Sequence, residues 1–573
     1  MKAMKIFKHI PKLVFVLAVL VASSCKDNLT EINENPNGVD PNSANPNLLL
    51  PTVMTGVGNQ YLKLGYGRIA GVMQHTQEDA WKDGFNDYNW SEEDDEWKAW
   101  YGFLRNNNLL YSRSVEMGYT FHQAVALTMK GFIFGTIADL WGDAPYTNAL
   151  KGDQGEMLPA FDSQEVIYKG IIEDLKQASA MFATADVSSY APGYDVYYNG
   201  DKLKWQKFAN SLLLRYYMRI SSKLPDIAKA GIEQVYTSGI YLKDASDDAV
   251  MEYIGAASGD SWPTAIAFDV SQSNWRRRRP AATLLNTMVA ANDPRLKVWF
   301  QPVHVRWVSD ATLKTGVDEF IRKDGVIQNG VKSLTEQELR AQIATGAKFT
   351  RHFNPTLYKP TRPDLFNGPL NTGEYVGIPA GMIDPTYYNE NPTTGQQVQN
   401  QHASQLSYGY QASKGGLLKA RLASASETAF ILAEAAQKGW ATGGAEANYN
   451  NGIKQSLQTW GVADQYDAYV KTVAYKGTLA QIIEQKWIAG WTAATEAWFD
   501  YRRTGLPALV PGLAPTSRAL PLRFIYSNNE LNNNGTSVKS AIEKLEETNF
   551  SGVRKKNSQW SKPWLVQGTG KPW

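Results

Sequence analysis

Cysteine is almost absent from this chain of 573 residues, in which Cys25 is the only one. An intramolecular disulfide is therefore excluded, and so is a zinc site built from several cysteine ligands. The motif His-Glu-x-x-His, the Walker phosphate loop and the sequence Gly-x-Ser-x-Gly are also missing, and the six histidines show no metal-ligand spacing. These absences indicate that no thiol nucleophile and no phosphate-binding loop is present, and we predict no cofactor and no metal ligands, while the binding of a calcium ion stays open.

Long hydrophobic runs are missing as well. The longest apolar run at the start of the chain is Leu13–Ala22, ten residues. At ~1.5 Å per residue it covers about half of a ~30 Å hydrocarbon core, so it cannot cross a membrane alone. Four lysines precede it and the small residues Ser23 and Ser24 follow it. This layout predicts a secretory signal peptide over residues 1–24.

The chain also has no excess of one charge. Lysine and arginine number 58 against 56 aspartates and glutamates, a formal net charge of +2. Without residues 1–24 and their four lysines, the count becomes 54 against 56. This balance gives no support to a nucleic-acid partner.

Cys25 stands directly after the predicted signal peptide, which suggests a lipoprotein. In this interpretation the signal is cut before Cys25, and its sulfur and new amino group are acylated. Two or three acyl chains hold a protein firmly on a membrane, whereas one binds only marginally. The segment that follows, to residue 47, is rich in Asn and Pro and cannot bury apolar surface, so we predict that residues 25–47 are the lipidated cysteine and a flexible tether.

Helical patterns dominate what is present. Between His122 and Trp141 apolar residues recur at helical spacing, and Asp162 with Glu165 predicts the capping pair of the next helix. The stretch 225–420 differs, because it is rich in Gly, Pro, Asn and aromatic residues and its loops are too long for ordinary connections. The apolar stripe in the first helix consists of Val125, Met129, Phe132, Ile133, Ile137 and Leu140.

These patterns predict a mainly all-α fold in which paired helices stack as in tetratricopeptide proteins, although no clean ~34-residue repeat is visible. We expect residues 48–573 to form a single intertwined body. Its helical scaffold would comprise about 48–224 and 421–510, with the loop-rich ligand region at about 225–420 and a C-terminal segment at 511–573. Binding sites are usually found in long loops on such a scaffold.

Several motifs resemble those of one protein family. Ala138–Tyr146 is similar to its "YGDVPY" element, with Trp141 in place of the usual tyrosine, and Trp205–Leu212 is similar to its "WxKFANSL" stretch. The strongest run is Glu496–Gly505, which reads EAWFDYRRTG. The chain thus resembles, over nearly its whole mature length, the SusD/RagB family of surface lipoproteins and its SusD-like 2 subgroup.

This resemblance implies tetratricopeptide-like helix pairs with a large irregular loop region packed on them. Members are lipid-anchored on the outer surface of the outer membrane, where they act as the lid of a SusC-like TonB-dependent barrel. They bind glycans, or peptides in some members, and are not enzymes. Lys26–Asn28 resembles the short export signal of such lipoproteins, but Asn28 replaces an acid, which leaves a periplasmic location open.

Aromatic residues in loop-like stretches are the candidate ligand contacts. Sugar rings present apolar C–H faces and polar rims, which suit aromatic platforms with polar edges. The alternative for each ring is a place in the core or against the barrel. Motif residues Trp205, Trp487 and Trp498 are interpreted as scaffold. The candidate platforms are Trp81, Phe85, Tyr88 and Trp90 in one cluster, and Trp262, Trp275, Trp299 and Trp307 in another.

Four consecutive arginines follow Trp275. Such a run usually forms a solvated face or a partner contact. Guanidinium groups also bind carboxylate or sulfate in bidentate fashion, so Arg276 and Arg277 are further candidates, for an anionic glycan.

Three alternatives to a glycan-binding lid stay open. The first is a peptide-capturing lid of the same type. The second is a surface glycoside hydrolase that uses two carboxylates, from the loops or from the acidic run Glu92–Glu96, which we otherwise interpret as the first turn of a helix. The third is a purely structural lid without ligand contacts.

Overall fold

The computed structural model describes residues 43–79, 83–91, 94–392 and 400–573. The predicted signal peptide, Cys25, most of the tether and Trp81 lie outside these residues. Pro46–Trp573 forms one compact unit. Helices make up most of its regular structure, which confirms the predicted fold class.

The first helical block packs in chain order, each long helix against the next. A glycine allows one close approach in it, since a Cβ on Gly135 would lie 2.1 Å from the hydroxyl oxygen of Tyr216 on another helix. The helices of this block are α1 (Pro46–Tyr66), α2 (Arg68–Val72), α3 (Asp94–Glu116), α4 (Thr120–Trp141), α5 (Gln164–Thr184), α6 (Lys202–Arg219) and α7 (Pro225–Ser238).

Helix α4 is the centre of this block. Among the described residues it is the one helix long and apolar enough to cross a bilayer, and 94% of its most apolar window is buried inside the protein. It contacts α1, α3, α5 and α6. The predicted apolar stripe is therefore only part of its buried surface, because neighbours cover the helix on nearly all sides.

The cap of α5 differs from the prediction. Ser163, not Asp162, is the N-cap, and its hydroxyl accepts a hydrogen bond from the backbone N–H of Val166. Asp162 is used elsewhere, since one of its carboxylate oxygens accepts from the backbone N–H groups of Tyr146 and Thr147 at 3.0 and 2.7 Å. The sequence pattern could not show this competing use.

Short elements occupy the middle of the chain. The helices there are α8 (Ser273–Arg276), α9 (Ala282–Ala290), α10 (Leu296–Trp299) and α11 (Glu336–Ile343). The strands are β1 (Thr76–Glu78), β2 (Ala249–Glu252), β3 (Arg278–Pro280), β4 (Phe300–Gln301), β5 (Val305–Ser309), β6 (Arg322–Lys323), β7 (Val326–Ile327), β8 (Phe349–Phe353), β9 (Gln405–Leu406) and β10 (Lys419–Ala423).

These strands form small sheets that the sequence did not predict. β1 pairs with β3, β2 with β10 and β4 with β9, all antiparallel. A four-stranded sheet has the order β5-β8-β6-β7, and in it β5 and β8 are parallel with Val305 opposite Phe349. Most strands have two to five residues, too few for alternation to stand out in the sequence.

A second helical block follows. It packs on the first block through α12, which contacts α6 and α7, and through α16, which contacts α1, α2 and α6. Its members are α12 (Ala425–Gln437), α13 (Ala445–Thr459), α14 (Tyr466–Thr472), α15 (Leu479–Ala489), α16 (Ala494–Thr504), α17 (Asn528–Asn533) and α18 (Gly535–Glu543). Residues between α16 and α17 bind the end of α4. The backbone N–H of Phe524 donates to the carbonyl of Leu140 at 2.6 Å, and the Trp141 indole donates to the carbonyl of Ile525 at 3.1 Å.

Candidate functional site

An open cleft of about 550 Å³ lies where the helical scaffold meets the loops. We call it the loop cleft. Most of its lining comes from the end of α1 with the start of α2, the loop 83–91 and Arg278 on β3, and the rest from Glu78 of β1, Glu96 of α3 and Pro263. Its described lining comprises Lys63, Leu64, Tyr66, Gly67, Arg68, Glu78, Asp83, Gly84, Phe85, Asn89, Trp90, Ser91, Glu96, Pro263 and Arg278.

Arg278 is the central side chain of the loop cleft. Its guanidinium carbon lies 4.5 Å from the ring centre of Tyr66 and 5.8 Å from that of Phe85. The pairing of β1 with β3 places it opposite Glu78, and their side chains approach to 3.5 Å between nitrogen and oxygen. Burial raises the pKa of the Glu78 carboxyl, while the nearby guanidinium acts in the opposite direction.

The loop 83–91 is held by its own polar groups. Asn86 brackets the backbone of Glu78, accepting from its N–H at 2.9 Å and donating to its carbonyl at 2.7 Å. The Trp90 indole donates to the carbonyl of Gly84 at 2.9 Å. Asp87 accepts from the backbone N–H of Gly84 at 2.7 Å. One wall of the loop cleft is thus shaped before any ligand arrives.

The charges along the described lining balance. Three cationic side chains, Lys63, Arg68 and Arg278, stand against three acids, Glu78, Asp83 and Glu96. Exposed Asn89 and Ser91 add neutral polar groups at the rim. The rings of Tyr66, Phe85 and Trp90 at the floor are buried and expose little surface, so the hydrogen-bonding groups at the rim are what suits a neutral polar ligand.

The described part of the acidic run lies at the start of helix α3. Asp94 and Glu96 belong to the first turn of α3, which confirms that interpretation, while Glu92 and Glu93 lie outside the described residues. Glu96 accepts a hydrogen bond from the Gln60 amide at 2.6 Å. Over the described parts of the chain there is no group of three or more His, Cys, Asp or Glu side chains able to hold a metal ion.

The candidate aromatic platforms are mostly interior. Tyr88, Trp90, Trp262, Trp275 and Trp307 are all buried. Trp262 packs against Tyr66 with ring centres 5.0 Å apart, and Trp307 stacks on His402 at 4.5 Å. Of these rings only Trp90, with Phe85, borders the loop cleft. The structure thus corrects the expectation of open platforms, because tertiary neighbours cover the ring faces; a ligand role for these residues stays a prediction. The scaffold residues Trp205, Trp487 and Trp498 are buried, as predicted.

The arginine run is not a solvated face. Arg277 and Arg279 are buried, and both approach Asp79, with shortest distances of 3.7 and 3.3 Å between nitrogen and oxygen. Arg278 is engaged with Glu78, so only Arg276 is left partly exposed without a carboxylate so close. The expectation of several guanidiniums open to an anionic glycan is corrected here, since carboxylates of the segment 78–79 already occupy them.

Sequence reasoning missed Tyr66, Arg68 and Glu78 as lining residues. Each belongs to a regular element, and no local motif marks it. The pairing of β1 with β3, about 200 residues apart in sequence, brings Glu78 beside Arg278, and the packing of α1 places the Tyr66 ring under the same guanidinium. An observer could have suspected the loop 83–91 alone, from its aromatic content.

Comparisons with known proteins agree with this architecture. A chitin-binding protein has 22% identity and a TM-score of 0.66, with 91% of this chain and 100% of that chain covered. An outer membrane protein from Bacteroides vulgatus, whose description connects it with nutrient binding, has 21% identity, the same TM-score and the same coverage. A SusD homologue from Bacteroides fragilis has 18% identity with a TM-score of 0.66, again over 91% and 100%. No curated protein sequence matches the chain.

Residues 39–312 and 356–527 match the SusD-like family described as "Starch-binding associating with outer membrane". The match covers most of the chain and includes the motifs quoted above, the end of α1 and the loop 83–91. The chain therefore belongs to this SusD-like family of nutrient-binding proteins associated with the outer membrane.

Proposed function

We propose that the protein is a cell-surface lipoprotein that binds nutrient polymers, most of all glycans, and delivers them to a SusC-like TonB-dependent barrel, for which it acts as the lid. It does not catalyse a reaction. Cys25 carries the lipid anchor in the outer membrane, and the body faces the cell exterior. The loop cleft is the ligand site.

The observation that carries the proposal is the composition of the loop cleft. Its described charges cancel, so the cleft does not demand a charged ligand. Amide, hydroxyl and guanidinium groups around the cleft match the polar rims of sugars, and the small exposed parts of the floor rings provide an apolar surface beneath them. The family description names starch, and one structural neighbour is a chitin-binding protein. Glucose and N-acetylglucosamine polymers are therefore the first ligands to test.

A binding screen tests the proposal. The soluble body from residue 28 onward is titrated calorimetrically with starch and chitin oligosaccharides, charged glycans and peptide mixtures. We expect a neutral glycan to bind and its chain length to stay unchanged after incubation. Binding of peptides alone would favour the peptide-capturing lid, and shortened polymer would favour a hydrolase. Absence of measurable binding to every probe would contradict direct ligand binding.

A pair of variants locates the site. Asn89→Ala removes an exposed amide from the rim of the loop cleft, and we expect affinity to fall about three- to tenfold, the equivalent of one hydrogen bond. Asn274→Ala removes an exposed amide that does not line this cleft and should leave affinity unchanged. If Asn89→Ala and Asn274→Ala bound the glycan with equal affinity, the ligand site would lie outside the loop cleft.

A further inference from the structure

Two more clefts lie beside α3. The middle cleft, about 540 Å³, lies between the first half of α3, the loop 145–159 and the end of α17. The distal cleft, about 300 Å³, lies between the second half of α3, helices α4 and α5, and the same loop. Ala149 and Leu150 line both, so the two clefts adjoin.

Residues of the single helix α3 line all three clefts, in the order loop, middle and distal, although the loop and middle clefts have no described lining residue in common. Glu96 of α3 lines the loop cleft, and the next residue, Trp97, lines the middle cleft. Arg105 is the last α3 residue of the middle cleft, and Tyr111 is the last of the distal cleft. At ~1.5 Å per residue, the stretch from Glu96 to Tyr111 measures about 22 Å. This is several times the width of one sugar ring.

We propose that the middle and distal clefts continue the ligand site of the loop cleft, forming an extended track along α3 for a glycan chain of several sugar units. This inference rests on the proposed function and adds to it the length of the ligand. The protein then distinguishes polymers from short sugars, because only a polymer fills all three clefts.

The middle cleft has the composition of a sugar site. Tyr101 is half-buried and supplies the aromatic ring of the cleft; it packs on the buried Trp97 with ring centres 4.9 Å apart, and its hydroxyl is fixed by donating to the carbonyl of Pro145 at 2.8 Å. Met157 and Leu158 are exposed by 74% and 60%, an unusual amount for apolar side chains beside a groove. The amide of Asn533 and the guanidinium of Arg105 provide polar groups at its rim.

The distal cleft combines a ring with polar groups that are already oriented. The Tyr146 hydroxyl donates to Asp174 at 3.0 Å, and the Lys130 ammonium approaches the same carboxylate at 2.9 Å. Asn107, which is buried, lines the cleft; its amide nitrogen donates to the carbonyl of Ala126 at 2.8 Å, while its amide oxygen has no hydrogen-bond partner among the described residues. A buried acceptor without a donor is costly, so a hydroxyl group that reached this oxygen would be bound favourably.

The length of the oligosaccharide is the variable that tests the track. Glucose and N-acetylglucosamine oligosaccharides of increasing length are titrated into the soluble body. For the series that binds, we expect affinity to rise at least about tenfold once the chain extends beyond the loop cleft, since added units make new contacts. In the double variant Asn108→Ala/Tyr111→Ala, both at the distal cleft, the longest chains should lose most of that gain, and the shortest chains should bind as in the wild type.

A matched variant controls for changes in α3 itself. Asn106→Ala/Val115→Ala alters an amide and an apolar side chain of the same helix that do not line any of the three clefts, and it should keep the full length dependence. Affinity that is independent of length in the wild type would overturn the track and leave the proposed function intact. A length dependence that survives in the distal variant would also overturn it. Absence of binding at every length in both series would contradict the proposed ligand class, and the track with it.

Discussion

Arg279 is the most enclosed of the four consecutive arginines, with no exposed surface. Its guanidinium approaches Asp79 at 3.3 Å and donates to the carbonyls of Ala403 and Ser404 at 3.2 Å. Arg279 thus connects Asp79, directly after β1, with residues 403–404, directly before β9. A guanidinium that makes these contacts positions the backbone of the loop cleft and is not available to a ligand.

We therefore expect Arg279→Ala to lower the free energy of unfolding by about 3 kcal/mol, because it leaves a largely buried carboxylate with only the more distant Arg277. Arg276→Ala, at the partly exposed position of the same run, should cost less than about 1 kcal/mol. Urea unfolding followed by tryptophan fluorescence measures both. Equal losses for the two variants would show that burial does not separate their roles.

At the scale of elements, the close packing of α4 against α6 depends on a glycine, which has no side chain. Gly135 of α4 faces Tyr216 of α6 so closely that any Cβ would overlap the phenol, and the ring of Tyr216 is buried, so it could yield only by displacing its neighbours. Helix propensity argues for alanine at this position, but packing requires glycine. Gly135 lies within the segment predicted to be helical but outside its apolar stripe, and no local pattern marks the contact with Tyr216.

The two glycines Gly135 and Gly102 should respond oppositely to the same change. Gly135→Ala forces α4 and α6 apart and should destabilise the protein by about 1–3 kcal/mol. Gly102→Ala, on α3 with nothing within 4 Å of the new Cβ, should stabilise by about 0.5–1 kcal/mol through helix propensity. Thermal unfolding by circular dichroism gives the order of the midpoints, and a Gly135→Ala midpoint at or above that of the wild type would contradict the packing argument.

For the whole molecule, buried histidines connect stability to pH. Burial lowers the pKa of His75 and His402 to about 3 and that of His122 and His304 to about 4. Between about pH 6.5 and these values the unfolded chain binds protons that the folded protein does not, so acid favours unfolding. Asp248 acts in the opposite direction, because burial raises its pKa to about 7 and the folded protein takes up a proton there.

His402 allows this linkage to be measured. Its Nδ1 lies 2.7 Å from the carbonyl oxygen of Val305, and its ring stacks on Trp307. Each buried histidine should contribute about 2 kcal/mol to the loss of stability between pH 7 and 5. His402→Gln should therefore flatten the pH profile of the unfolding free energy by that amount, whatever its effect at pH 7. Parallel profiles for variant and wild type would contradict a neutral His402 in the folded protein.

The sequence by itself determined the helical scaffold and the family motifs, because helix periodicity and motif identity are local properties. It also predicted that Trp205, Trp487 and Trp498 are scaffold residues, and they are buried. The signal peptide, the lipidation of Cys25 and the ligand contacts stay predictions.

Only the tertiary structure decided which aromatic rings and guanidiniums are accessible. Trp262, Trp275 and Trp307 resemble surface platforms when only their loop-like surroundings are considered. They are interior because residues far away in the chain cover them, as Tyr66 covers Trp262. Likewise Asp79 reaches Arg279 across 200 positions. Spacing along a chain predicts the face of a helix, but it does not predict which distant segment will pack on a loop.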